Sequence, residues 1–409
     1  NRLYRGNDGG MYESRGRGET FRFVGTLPVA QYFHVAVDGE TPYNVYGGLQ
    51  DNNSWRGPSS VWQRGGIRMH HWKAVGGGDG FETLPDPQDP TKGYSLSQGG
   101  NLMRWDVVTG ERRDAKPQAP AGTKLRFNWN AALAVDPFDP ATVYLGSQFV
   151  HRSKDRGETW ETVSPDLTTN APEWQKQEKS GGITLDVTAA ENYTTLVTIA
   201  PSPVAKGTLW AGSDDGRIHV TRDAGATWAS VEKALPAGAP KNAHVAAIEP
   251  SRHDAATAFA VLDDHRWGDF APYVYRTDDF GKTWRSLVTP AVKGYALAIV
   301  QDPVKKELLF LGTETGLYAS LDGGKAWIPL RKAIPTASVM DLVIHPKEGD
   351  LVIATHGRAL WVLDDLTPLR EMTEEAFGKP LQLFTPPPAR QYWQAPMDGT
   401  GGSGAADFA

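Results

Sequence analysis

The sequence predicts an all-β fold: a β-propeller of four-stranded antiparallel blades, seven in number, with eight as the alternative. Three observations carry this. A phrase of Ser/Thr, Asp, Gly, Thr and an aromatic recurs as "SKDRGETW" (153–160), "TRDAGATW" (221–228), "TDDFGKTW" (277–284) and "SLDGGKAW" (320–327), with a degraded copy "SRGRGETF" at 14–21. A longer phrase, strand–Pro turn–strand ending near Gly, recurs through the chain. The 409 residues also contain 44 Gly, 29 Pro and 14 Trp, a composition of many turns and many large anchors.

The longer phrase is clearest in "LAVDPFDPATVYLGS" (133–147), "VTIAPSPVAKGTLWAGS" (197–213), "AAIEPSRHDAATAFAV" (246–261), "LAIVQDPVKKELLFLGT" (297–313) and "LVIHPKEGDLVIATH" (342–356). Looser copies are "HVAVDGETPYNVYGGL" (34–49) and "FETLPDPQDPTKGYSLS" (81–97). Successive second strands begin about 43 to 66 residues apart. Each unit continues with a turn, a third strand such as "RIHVT" (217–221), the Asp-containing phrase and a fourth strand. Four antiparallel strands at this period make a propeller blade. The apolar runs are short or alternating, not spaced at three and four as a helical solenoid requires.

Residues 1–24 read as the second to fourth strands of a further, partial blade, either the end of a preceding propeller or a closing blade. Residues 25–366 form the propeller. Residues 367–409 form a C-terminal segment in which "REMTEEAFG" suggests a short helix and "LQLF" a strand, before the flexible tail "DGTGGSGAADFA". The chain opens without Met inside a strand-and-turn pattern, as a piece of a longer parent chain would.

Composition narrows the functions. Hydrophobic residues make up 40% and charged residues 22% of the chain, and the net charge is −6 with no Lys/Arg run, which argues against a nucleic-acid partner. No apolar run approaches the ~20 residues of a membrane span. The absence of Cys excludes disulfides, thiolate metal sites and Cys nucleophiles.

In the repeated phrase the requirements are local. Asp in a tight turn accepts backbone N–H groups, Gly supplies positive φ, and the aromatic buries a rigid surface between blades. Asp155, Asp223, Asp279 and Asp322, with Trp160, Trp228, Trp284 and Trp327, are therefore assigned to structure. The loss of Asp at Gly16 and of Thr at Ala326 suits a turn staple better than a reaction centre.

This phrase resembles the Asp-box, or BNR repeat, of sialidases, two-propeller xyloglucanases and the sortilin Vps10 domain. The segments "GNDGG", "YGGLQDNNSW", "GSDDG", "GTETGLY" and "THGRALWVLDDLTPL" resemble large bacterial proteins with tandem BNR propellers, described as sortilin-like or glycosyl-hydrolase-like. The resemblance implies a secreted, periplasmic or cell-surface protein, and carbohydrate binding or glycoside hydrolysis. It also implies that the box lies on an outer hairpin away from any active centre.

Blade geometry puts the box turns and Pro turns on one face of the disc. Turns between second and third strands, and blade-to-blade connections, gather on the other. There Asp8, Asp51, Asp214, Asp215, Asp264 and Glu314 meet "GGIRMHHWKAVGGGDG", "LRFNWN" and the long 164–187 connection. Asp51 and Asp79 are the candidate catalytic carboxylates. Arg126, Trp129, Asp214, Asp215, His356 and Arg358 are the candidate ligand-binding residues, since aromatic faces and fixed charges suit a glycan or a peptide. Adjacent histidines in "MHHW", read as a strand, point to opposite faces and make a poor metal site. No HExxH spacing occurs, no cofactor is implied, and a structural Ca²⁺ held by acidic turns is the one ion the pattern suggests. The expected role is a binding or assembly module for glycan or peptide ligands; the alternative is a glycoside hydrolase.

Overall fold

The structure is a computed structural model. It describes residues 2–7, 10–27, 29–63, 65–119, 122–176, 192–332 and 334–389. The expected Asp8, the connection from 177 onward as far as 187 and the tail from 390 lie outside these residues.

Among the described residues the chain forms eight antiparallel sheets and little helix. An N-terminal sheet comprises Leu3–Asn7, Gly10–Ser14 and Arg22–Phe23. Six four-stranded sheets follow, over residues 32–76, 83–114, 133–162, 196–230, 244–286 and 296–329, and a seventh over 338–363 has three strands. These seven are called sheets one to seven. In all seven of these sheets the strand order follows the chain, so each unit is a meander built from hairpins.

No single core holds them. Apolar side chains form seven clusters, and each joins two neighbouring sheets. Tyr46, Val75 and Trp105 link sheets one and two; Trp210, Val245 and Trp284 help link four and five. The last cluster packs Val352 and Ala354 of sheet seven on Val35 and Val45 of sheet one, which closes the circuit. Polar contacts reinforce this closure: Val35 donates its N–H to Asp341 Oδ2 at 3.0 Å, and the Tyr43 hydroxyl donates to Asp350 Oδ2 at 3.0 Å.

The glycine that ends the longer phrase has a packing cause. A Cβ on Gly212 would lie 2.5 Å from Val245 Cγ1, on the first strand of the next sheet. Only a residue without a side chain lets that strand approach.

The repeated Asp turns bind sheet to sheet. In the turn at 277–284, Asp279 accepts the Thr283 N–H at 2.9 Å and the Thr283 hydroxyl at 2.7 Å, while Thr277 Oγ1 accepts the Gly281 N–H at 2.8 Å. Phe280 donates its N–H to Ala256 O at 2.9 Å, so this turn and the Pro-phrase turn share a face. The Trp at the end of each phrase donates its indole N–H to the preceding sheet: Trp160 to Ala115 O at 2.8 Å, Trp228 to Val163 O at 2.9 Å, Trp284 to Val231 O at 3.3 Å, Trp327 to Leu287 O at 2.8 Å. The degraded copy keeps the turn without its Asp, because Ser14 Oγ still accepts the Gly18 N–H at 2.9 Å.

Three local expectations fail. Sheet seven lacks a fourth strand, since the chain leaves Leu363 for a helical turn at Thr367–Glu371. The segment expected as one helix is two short ones, Thr367–Glu371 and Glu374–Phe377, because Thr373 restarts the helix by capping the Ala376 N–H. Residues 381–384 form no strand; Leu381 and Leu383 are exposed and no sheet edge pairs with them. A lone strand leaves its backbone groups unpaired. No helix of the described residues is long and apolar enough to cross a membrane.

Candidate functional site

The first strands of sheets one, four, five, six and seven each carry a register irregularity, at Tyr32/His34, Leu196/Thr198, Val245/Ala247, Ala296/Ala298 and Val339/Asp341. A bulge re-aims the extra residue. Here the residues at four of these points, Phe33, Ala246, Leu297 and Met340, all line one cavity of about 550 Å³. Most of its remaining lining comes from the second-to-third-strand turns (Gln50, Asp214, Asp263, His265, Arg266, His356) and from connections carrying Asn128, Trp129, Asn130, Asn192 and Tyr193. The cavity thus draws on the face that the sequence singled out.

One wall is aromatic and acidic. Trp129 packs edge-on against Phe33 and Phe81, with centroids 5.9 and 5.4 Å apart. Across the cavity lining, His265 stacks on Tyr295 at 4.3 Å, and its Nδ1 lies 2.7 Å from both carboxylate oxygens of Asp263. Trp267 and Phe270 beside this pair are both exposed. Asp214 is buried and accepts the Thr195 N–H at 2.8 Å, the Thr195 hydroxyl at 2.6 Å and Asn128 Nδ2 at 3.0 Å. Burial, then the neighbouring Asp215 charge, pushes its carboxyl up to about 8 against the pull of these donors. Burial lowers His244 to about 3, with Arg266 and His265 adding to the effect, so this imidazole is neutral at ordinary pH. His356 is lowered by burial as well.

A second polar group borders the cavity at His34. Its Nδ1 lies 3.3 Å from Glu82 Oε1 and 3.4 Å from Asp341 Oδ2, and its Nε2 faces the Asn130 amide. Burial opposes a charge on His34, but the two carboxylates outweigh it and carry the imidazole up to about 9. Burial raises the Glu82 carboxyl.

Of the residues expected from sequence, Trp129, Asp214 and His356 line the cavity. The others do not. Asp215 is buried and accepts the Thr169 N–H at 2.8 Å and the Thr169 hydroxyl at 2.6 Å, tying down the 164–176 connection. Arg126 pairs with Asp166 at 2.9 Å and ties the same connection. Arg358 is exposed, and its N–H donates to Thr355 Oγ1 at 3.1 Å. Asp51 sits exposed at φ 60°, and its N–H donates to the buried Asp79 Oδ1 at 2.8 Å. Asp79 Oδ1 also accepts Gln50 Nε2 at 3.1 Å, so this carboxylate shapes the turn that presents Gln50 to the cavity. "MHHW" is not a strand: Met69–His71 is a 3₁₀ turn, which brings the His70 and His71 rings to 4.0 Å.

Sequence reasoning missed Asp263, His265, Arg266, Tyr295, His244 and the His34 group. The signal was present in the first strands, where "YFHVAV", "HVAAIEP" and "SVMDLVI" carry a polar residue inside an apolar run.

No protein-family model matches the chain. Among curated proteins, it is 35% identical over 109 residues to the vacuolar protein sorting/targeting protein 10 of Laccaria bicolor, covering 26% of this chain and 6% of that one. It is 24% identical over 308 residues to the oligoxyloglucan-reducing end-specific xyloglucanase of Emericella nidulans, covering 67% of this chain and 35% of that one. The chain thus spans about a third or less of the length of these relatives. Among solved structures, it is similar to the GH74 xyloglucanase from Xanthomonas campestris, with a TM-score of 0.58 and 20% identity over 82% of this chain and 52% of that one. It is also similar to the extracellular domain of a putative hybrid two-component system from B. thetaiotaomicron, with a TM-score of 0.51 and 10% identity over 83% of this chain and 38% of that one. By its sheets and by these likenesses the chain is a β-propeller, similar to xyloglucanase and Vps10 propeller proteins.

Proposed function

We propose that the cavity is a carbohydrate-binding site and that the chain acts as a glycan-recognising propeller module in a secreted or surface protein. The observation that carries this reading is the composition of the lining: Trp129 on one side and the stacked Tyr295 and His265 across from it present ring faces or edges beside fixed carboxylates and the Arg266 guanidinium. Sugars offer apolar C–H faces for rings and hydroxyls for charged partners, and such a mixture orients them. The xyloglucanase relatives support a glycan over a peptide. The bacterial extracellular-domain neighbour accords with an exported location.

Glycoside hydrolysis is the second reading. It is favoured by two carboxyls in one cavity, Asp214 and Asp263, the first with the raised pKa of a general acid. Asp51 and Asp79, the pair expected from sequence, do not line the cavity; Asp79 bears on it only through its hydrogen bond from Gln50. A polysaccharide panel scored for retention and for release of reducing ends tests both. Retention lost in Trp129→Ala and Tyr295→Ala supports the binding module. Release abolished by Asp214→Asn or Asp263→Asn makes it a hydrolase. Retention unchanged in both aromatic variants overturns the cavity as the site.

A further inference from the structure

We propose that His34, Glu82 and Asp341 form a binding site for one divalent transition cation of the zinc class beside the cavity. The three donors come from separate stretches of chain, on or next to the first strands of sheets one, two and seven, and their ligand atoms lie within 4.8 Å of one another.

The separations favour a cation over an ion pair alone. Tetrahedral zinc with bonds of about 2.0–2.1 Å sets its donors about 3.3–3.4 Å apart. His34 Nδ1 stands 3.3 Å from Glu82 Oε1 and 3.4 Å from Asp341 Oδ2. A charge-assisted hydrogen bond would draw them to about 2.7–2.9 Å. Among the described residues the Glu82 carboxylate meets no donor except His34.

The surroundings are those of a ligating histidine. The Asn130 amide sits at His34 Nε2, with Nδ2 at 2.9 Å and Oδ1 at 3.1 Å; with its oxygen turned to the ring, Nε2–H donates to it and Nδ1 keeps a lone pair for the metal. Such an outer partner fixes tautomer and ring orientation. Asp341 Oδ2 is held in place by the Val35 N–H at 3.0 Å, and Oδ1 by the Leu342 N–H at 2.8 Å. Two carboxylates against one imidazole leave anionic charge that a dication neutralises. One imidazole with two carboxylates suits zinc, and cobalt(II) as its spectroscopic substitute. Three protein ligands leave a fourth position for water.

The test uses the whole chain, stripped with EDTA and titrated with ZnCl₂ by calorimetry and with Co²⁺ by visible absorption. The expected result is one equivalent per chain and the absorption of tetrahedral Co²⁺. Glu82→Gln and His34→Gln should each weaken binding by at least about 100-fold, and Asn130→Ala by about 10–100-fold as an outer partner. The His70–His71 pair is the competing site, so a His70→Ala/His71→Ala variant should bind as the parent does. Absence of one-to-one binding in the stripped parent chain overturns the proposal whether or not the variants fold. So does binding that survives Glu82→Gln or is lost with His70 and His71.

Discussion

Replacing Gly281 with alanine measures how closely the repeated turn is fitted to the preceding sheet. Gly281 is buried at φ 82°, and a Cβ there would lie 2.7 Å from Val231 Cβ and 2.9 Å from each Val231 methyl. Gly238 supplies the control: it has φ 94°, is exposed, and an added Cβ would meet nothing within 4 Å. Both substitutions force a non-glycine residue into the left-handed region, at a cost of about 1–2 kcal/mol. Only Gly281→Ala also overfills a seam, which adds about 1–3 kcal/mol. Gly238→Ala should therefore cost about 1 kcal/mol and Gly281→Ala about 2–4 kcal/mol, measured as the shift in urea midpoint under identical conditions. Val231→Ala introduced beside Gly281→Ala removes the two methyl contacts and should recover part of the loss, with a coupling of about 1 kcal/mol in a double-mutant cycle. Equal losses for the two glycines would refute the argument, because the turn would then owe its glycine to backbone conformation alone.

Trp327→Phe leaves the buried Leu287 carbonyl without its 2.8 Å donor and should cost about 1–3 kcal/mol in the same unfolding assay. Arg370→Met strips the bidentate partner from Asp302, whose side chain is fully buried, and should cost about 3–5 kcal/mol, more than Asp302 and Arg370 replaced together. Asp155 and Asp223 are held at about 2, below the usual 3.8, by hydrogen bonds from Thr159 and Thr227, so their ionised forms are favoured by folding. That stabilisation is complete above about pH 4 and drains as the pH falls through about 2. Asp155→Asn with Asp223→Asn should flatten the fall in thermal midpoint across this window.

The repeat was legible because its causes are local. An Asp two residues after Ser or Thr and a Gly four residues after it suffice to build the turn, and the Trp that follows must find a carbonyl on the neighbouring sheet. The strand pattern likewise announced sheets whose second strands, in sheets one and three to six, are buried along their length. The cavity was less legible because its walls depend on the bulges. A one-residue shift at Phe33 or Met340 redirects side chains without altering the alternation that a reader counts. Asp214 was found because it sits in a conspicuous acidic turn. Asp263 and His265 sit in a similar turn, but their meaning comes from Tyr295, which belongs to the next unit. Asp79 and Arg126 looked chemical and instead meet partners that brace loops, which residue type alone does not reveal. The missing fourth strand of sheet seven was unreadable for a related reason: "LWVL" is followed by "DDLTPL", whose two Asp residues read as one more turn before a strand, whereas the chain goes on into a helical turn at Thr367–Glu371.

That missing strand gives the circuit a distinct mechanical character. Sheet one keeps all four of its own strands and sheet seven has only three, so no hydrogen-bonded ladder straddles their junction. What joins them is side-chain packing, side-chain polar contacts, the isolated bridge between Gln31 and His356, and the Gly357 and Ala359 N–H groups donating to Ala30 O at 3.0 and 3.1 Å. The ring is thus joined here as a split washer is: the chain does not run on from sheet seven to sheet one, and the two meet through contacts alone. Gln31 and His356 at that gap both line the cavity, so the seam that closes the ring is also part of the wall of the site.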